Sequence, residues 1–222
     1  MKHLKIIGLA AIAAMAFMAF AASASADVLC KTAPNKSGEC ETAVGDYASG
    51  TVFTSESTNA KLTVEGGITS YVTCSKSNVS LKNTSTGSNT SGTAVAGEVT
   101  KVSWSGCQTA GGSSCNVSES SGYSGNVKAT SDAGAGTVTV NGNATTTVDC
   151  TSFGFEFKCT YKPTSGGLDL TLTGGNPASI TATSQPLTLE AGGFGCGSGA
   201  KWDATYTLTG SNSALWVATK NA

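Results

Sequence analysis

The chain has 222 residues, of which only 12% are charged, against about a quarter in an average soluble domain, while Gly contributes 28 and Ser with Thr 61. All 13 basic residues are Lys, no Arg occurs, and the single His is His3. Beyond the first few residues there are two fewer Lys than those 13 to set against 14 acids, a net charge near −3 with no imidazole. That excludes nucleic-acid binding through a basic surface and any mechanism built on a Ser-His or Cys-His pair.

A short basic start (Met1 to Lys5), an apolar run (Ile6 to Ala22) and the small-residue site Ala24-Ser25-Ala26 predict a signal peptide over 1–26, cleaved before Asp27. The expected destination is the medium or the cell surface. No later stretch is long and apolar enough for a transmembrane helix, and the strands lack the aromatic girdles of an outer-membrane barrel. Residues 27–50 read as a disulfide-tied N-terminal segment, a small cap ahead of the first strand, and 51–222 as one all-β domain.

Short runs that alternate β-branched or aromatic residues with Ser, Thr or Lys recur every 8 to 12 residues, punctuated by Gly, Asn and Asp. In chain order they predict strands over Thr51–Thr54, Lys61–Glu65, Ile68–Ser75, Asn78–Asn83, Glu98–Ser105, Asn116–Ser118, Asn126–Thr130 and Thr137–Asn141. Further strands are expected over Thr145–Asp149, Gly154–Lys162, Leu168–Thr173, Ser179–Thr183, Leu187–Glu190, Ala204–Thr209 and Leu215–Thr219. The polar stretch from Asn83 to Ala94 and the Gly- and Ser-rich stretches Ser113 to Ser124 and Ala191 to Ala200 read as loops. The expected fold is a disulfide-stabilised antiparallel β-sandwich, with a β-barrel as the alternative, and no helix competes after the signal segment.

Eight cysteines, Cys30, Cys40, Cys74, Cys107, Cys115, Cys150, Cys159 and Cys196, form an even set with no CxxC spacing and no His, so they predict four disulfides rather than a metal site. Short separations favour local bridges between Cys30 and Cys40 and between Cys150 and Cys159, the second tying a hairpin. The other four would then pair among themselves.

The runs Tyr71-Val72-Thr73-Cys74, Val102-Ser103-Trp104-Ser105-Gly106-Cys107, Cys115-Asn116-Val117, Phe157-Lys158-Cys159-Thr160-Tyr161 and Ala204-Thr205-Tyr206-Thr207-Leu208-Thr209 resemble a group of secreted bacterial Ser/Thr/Gly-rich all-β proteins with disulfides. The resemblance covers about Thr51 to Thr219. It implies export and an all-β disulfide fold, and it carries no activity.

No residue set predicts a catalytic centre, a cofactor or a metal. The carboxylate pairs Asp149 with Glu156 and Asp169 with Asp203 are the ones a small hydrolase would use, and this enzyme reading ranks last. Thr-x-Thr pairs starting at 137, 145, 171, 181 and 205 have no common period, so they read as the polar outer face of strands rather than as one flat array. Among Trp104, Trp202, Trp216, Tyr71, Tyr123, Tyr161 and Tyr206 most belong to the core, while Trp202 and Tyr123 lie beside Gly and Ser loops and are the expected exposed ligand contacts. The leading expectation is a non-catalytic binding or structural protein of the cell envelope or medium, whose partner is an envelope polysaccharide, a lipid or another surface protein. The alternative is a carrier of a small apolar ligand or lipid in a cavity lined by Phe153, Phe155, Phe157 and Leu170, for which about 300 Å³ is the ordinary lower size.

Overall fold

A computed structural model describes residues 26–36, 39–40, 46–86, 94–119, 123–130, 134–141, 144–152 and 154–220. The expected signal segment ahead of Ala26, most of the expected 83–94 loop and Phe153 lie outside them. The strands are β1 (Ala26–Cys30), β2 (Val52–Ser57), β3 (Ala60–Glu65), β4 (Tyr71–Asn83), β5 (Val95–Thr109), β6 (Ser114–Glu119) and β7 (Tyr123–Ala129). They continue as β8 (Gly136–Asn141), β9 (Thr146–Ser152), β10 (Phe155–Pro163), β11 (Gly167–Thr173), β12 (Ser179–Ala191), β13 (Gly199–Thr209) and β14 (Trp216–Lys220). Every pairing among them is antiparallel.

Registers show that the 12 strands of the main sheet are fewer staves. Strand β13 pairs with β2 near Thr209 and with β3 near Gly199, so β2 and β3 are two halves of one stave; β6 with β7, β8 with β9 and β10 with β11 are related in the same way. The eight staves pair in chain order, up and down, and β13 returns to the β2/β3 stave to join the edges. The inward and outward alternation common to sandwich and barrel holds, and the joined edges give the fold its barrel form. Closure joins the two outer edges that an open sheet of these staves would leave free. Along β8 the pattern is plain, with Val138 and Val140 buried and Thr137 and Thr139 turned outward.

Two strands each join two expected ones. The segments Ile68–Ser75 and Asn78–Asn83 form one strand that starts only at Tyr71, and Ser179–Thr183 merges with Leu187–Glu190. In β4 the buried positions run Val72, Cys74 and then Ser77, so two residues rather than one separate consecutive inward side chains. The same step occurs opposite, where Gly106 takes φ +59° against Ser75 and leaves no room for a Cβ. In β12 a bulge between Ala182 and Gln185 does the same, with Ser184 at φ +46°. A period-two reading breaks at each such point although the backbone ladder continues. Strand β1, absent from the predicted set, falls at the start of the expected cap and pairs with β14 from Ala26 opposite Lys220 to Cys30 opposite Trp216.

The β1/β14 ribbon covers one end of the barrel. Leu29, Leu215 and Val217 from the ribbon and its approach join Phe53, Val95, Leu172 and Leu208 in one buried cluster. Tyr47 packs edge-on against Phe53 at 4.8 Å and donates its hydroxyl to the Ala214 carbonyl at 2.6 Å, fixing the N-terminal segment to the C-terminal one. A second cluster, including Leu62, Val72, Phe157, Tyr161 and Leu187, fills the other end.

Four disulfides close the set, with no free Cys. Cys30–Cys40 is as expected, whereas Cys150 pairs with Cys115 and Cys159 with Cys196, which corrects the Cys150–Cys159 bridge. The reason is register. Cys150 stands opposite Phe157 and Cys159 opposite Val148, so these two cysteines are diagonal neighbours, roughly 7–8 Å apart, beyond the span of a disulfide. Cys74, Cys107, Cys115 and Cys150 instead lie side by side across β4, β5, β6 and β9 and pair as Cys74–Cys107 and Cys115–Cys150, forming a belt at the end remote from β1. Cys159–Cys196 draws the 192–198 loop over that end, where the Ile68 N–H donates to the Gly195 carbonyl at 2.9 Å.

Candidate functional site

Between the two packed ends the interior is incompletely filled. A cavity of about 110 Å³ lies at mid-barrel, with walls that are almost wholly apolar: Val79, Val102, Val117, Val138, Leu168 and Leu170 among them. All eight staves contribute to its wall, and in β4, β5 and β12 the inward side chains change step beside it, where the two cores meet. Beside it, β5 has no ladder partner on the β6/β7 side between Thr100 and Gly106 among the described residues.

A few polar side chains project into this apolar space. Cys115, Val117 and Glu119 share the inward face of β6, which puts the Glu119 carboxyl at the cavity wall beside Tyr123 at the start of β7. Trp104 reaches in from β5, and Trp202 and Tyr206 from β13 with their rings 6.0 Å apart. The Tyr206 hydroxyl bonds to Ser77 Oγ at 2.8 Å, next to Trp104 across the β4–β5 pair. The indole nitrogens of Trp104 and Trp202 are fully buried with no completed hydrogen bond.

The electrostatics follow from that enclosure. Burial pushes the Glu119 carboxyl up to about 7, and the neighbouring Tyr123 hydroxyl and Trp104 indole offset part of this by favouring the charged form. The Trp104 N–H faces the carboxyl without meeting the distance and angle of a full hydrogen bond. Burial likewise raises the Tyr206 phenol, helped by the Glu119 charge and opposed by its bond to Ser77. Near neutral pH the cavity therefore holds an acid that is about half protonated.

The expected ligand contacts fall in this site, though not as expected. Tyr123 is buried, at 4% exposure, and Trp202 is half-buried, so neither forms an exposed patch; both turn inward and line the cavity. Flanking loops misled the reading because both residues begin or sit within strands whose inward positions they occupy. Of the predicted cavity lining, Leu170 is present, Phe157 belongs to the core at the disulfide end, Phe155 is 55% exposed against the exposed Phe194, and Phe153 is outside the described residues. Glu119, Trp104, Ser77 and Tyr206 were not singled out as a site. The alternation Val117, Glu119 was the available signal, and the predicted strand Asn116–Ser118 stopped one residue short of it.

Neither carboxylate pair forms a cleft. Asp149 is exposed on the outer wall opposite Asn116 and Lys158, while Glu156 is exposed opposite Thr151. Asp169 accepts from the Thr139 hydroxyl at 2.8 Å and Asp203 from the Ser184 N–H at 2.7 Å, on β11 and β13 with β12 between them. Among the described residues no group of three or more His, Cys, Asp or Glu is placed to hold a metal ion, and no helix is long and apolar enough to cross a membrane.

The Thr pairs align more than their spacing implies. Thr137, Thr171, Thr181 and Thr205 stand in one row across β8, β11, β12 and β13, because strand register rather than sequence period decides which residues become neighbours. No family model, curated protein or solved structure matches the chain.

Proposed function

We propose that this is an exported, non-catalytic binding protein that holds a small, mostly apolar molecule inside its barrel. The observation that carries the reading is the convergence of Glu119, Trp104 and Trp202 on an otherwise apolar mid-barrel cavity, the pattern of a ligand site rather than of a packed core. Eight-stranded barrels have an interior that side chains can fill or that one small ligand can occupy. At about 110 Å³ the space is below the usual range for a drug-sized ligand or a lipid chain and suits a molecule of ring size; an engineered cavity of about 150 Å³ takes benzene. The signal segment and four disulfides support action outside the cytoplasm. Native mass spectra of the protein recovered from its own producing cells, before and after mild organic extraction, test this. A removable small-molecule mass is expected; absence of one, together with no uptake of xenon or benzene by the extracted protein, would refute it.

A second reading has its own observation, the Thr row of the outer wall. Four adjacent strands presenting hydroxyl and methyl groups in register offer a surface for a polysaccharide of the envelope, bound through neutral hydrogen bonds. Retention on envelope material would then change little between low and molar salt. Loss of retention in molar salt would eliminate this second reading.

A further inference from the structure

The polar groups of a cavity that lack partners define what its occupant must supply, because a buried donor left unmade costs more than a hydrogen bond returns. An indole nitrogen can only donate, and both Trp104 Nε1 and Trp202 Nε1 are buried with that capacity unused. Of the hydroxyls that line the cavity, Tyr206 is bonded to Ser77 at 2.8 Å, Ser55 donates to the Val79 carbonyl at 3.3 Å and Tyr161 to the Gly197 carbonyl at 3.5 Å. Lys61 lines the cavity from β3, but its ammonium stands over the Tyr71 ring at 4.7 Å rather than inward. With its carboxyl neutral, Glu119 adds a donor, so the unused capacity of the site is for donation.

We propose that the mid-barrel cavity binds a small uncharged carbonyl compound, its oxygen accepting from the unpartnered indole N–H groups of Trp104 and Trp202 and its apolar remainder lying against Val79, Val102, Val138 and Leu168. This rests on the cavity reading and goes beyond it by naming the occupant's chemistry. A hydrocarbon of the same shape leaves both indoles unpaired. An anion has no cation to meet it and faces Glu119. Once Glu119 ionises, the Trp104 indole and the Tyr123 hydroxyl serve the carboxylate and one donor is withdrawn from the ligand. Among the described residues, the groups facing that carboxyl are Trp104 on β5, Tyr123 on β7, Tyr206 on β13 and, in register beside it, Thr146 on β9.

The test uses the full disulfide-bonded protein after removal of any co-purifying molecule, with three probes followed by titration calorimetry and NMR. They are cyclopentanone, its hydrocarbon counterpart methylenecyclopentane, and xenon, which reports the cavity alone. The ketone is expected to bind at least about tenfold more tightly than the hydrocarbon at pH 6, and to lose roughly tenfold as pH rises to 8 and the neutral fraction of Glu119 falls. Glu119→Gln, which stays neutral, is expected to remove the pH effect. Trp104→Phe combined with Trp202→Phe is expected to reduce the ketone preference to near unity, with continued hydrocarbon and xenon binding showing that the barrel is intact. If the hydrocarbon binds as tightly as the ketone, or if the double variant keeps the preference, the carbonyl assignment fails while the cavity reading stands. If none of the three probes binds, the cavity reading fails as well. Should the double variant not fold, the ketone-to-hydrocarbon ratio and its pH dependence in the wild-type protein decide the matter by themselves.

Discussion

Replacing Glu119 by Gln isolates one proton and gives stability a pH dependence that can be worked out in advance. The carboxyl sits at about 7 in the folded chain against an ordinary value of 4.5, burial being the first cause. The folded state therefore holds the proton more tightly than the unfolded one. For an acid raised in this way, the stabilising contribution is complete below 4.5, declines as pH climbs toward 7, and is gone above it. At 1.36 kcal/mol per pH unit, the wild-type protein should lose about 3 kcal/mol relative to Glu119→Gln between pH 4 and pH 8. Gln keeps the shape and the donor without the charge, so the difference between the two proteins cancels most other titrations, including that of Asp27, which burial also raises. Urea denaturation of the disulfide-intact proteins at half-unit pH steps, followed by tryptophan emission, reads this difference. A difference that is flat with pH, or that grows in the wild type's favour above pH 7, would refute the burial of Glu119 and with it the electrostatics of the cavity.

Other consequences are simpler. Leu172 is fully buried at the ribbon-capped end, so Leu172→Ala should cost about 2–5 kcal/mol in the same urea assay. Tyr47→Phe removes the 2.6 Å bond to the Ala214 carbonyl and leaves that acceptor short of a partner, a loss of about 1 kcal/mol or somewhat more. Replacing both Cys159 and Cys196 by Ser opens a link spanning 37 residues and should cost about 4 kcal/mol, with faster proteolysis within 192–198 as a second readout. Peptide mapping without reduction should recover Cys115 with Cys150 and never Cys150 with Cys159. Lys76→Ala breaks the 2.7 Å pair with Glu56, which is partly exposed, so stability should change by no more than about 1 kcal/mol.

Local pattern made much of the fold legible. Thr137-Val138-Thr139-Val140 and Leu168-Asp169-Leu170-Thr171-Leu172 alternate cleanly, and in the barrel their apolar positions face inward. What could not be read locally is which strands lie beside which. Cys150 and Cys159 are near in sequence and share a hairpin, yet a two-residue offset makes them diagonal, while Cys115 and Cys150 meet because β6 and β9 pair across 35 residues of chain. The Thr row shows the same thing on the outer wall. Its members follow no period, since each intervening turn has its own length, and only the ladder lines them up.

The site was the least legible part, and the bulges explain why. A strand that keeps strict alternation delivers one apolar face from end to end, and a barrel of such strands fills evenly. In β4 and β5 the step at Ser75 and Gly106 reverses that phase together, so Ser77 and Trp104 turn inward where an unbroken alternation would put their neighbours. In β12 the bulge at Ser184 does so opposite Trp202. The step in β4 and β5 places a polar and an indole-bearing residue at mid-barrel, where the packing that fills both ends is interrupted. Ser77 and Trp104 thus owe their inward place to broken alternation, whereas Glu119 follows Val117 and Trp202 follows Ala200 in regular alternation on β6 and β13, and a wall assembled from both kinds of strand is not visible in any one local pattern. Deleting Ser184 should remove the extra residue, leave Gln185 opposite Trp202 on the face it shares with Ala182, take out the local twist of the bulge beside Trp202, and reduce small-ligand uptake before it abolishes the fold. Uptake undiminished by this deletion, with the barrel intact by circular dichroism, would show that the bulge does not shape the cavity.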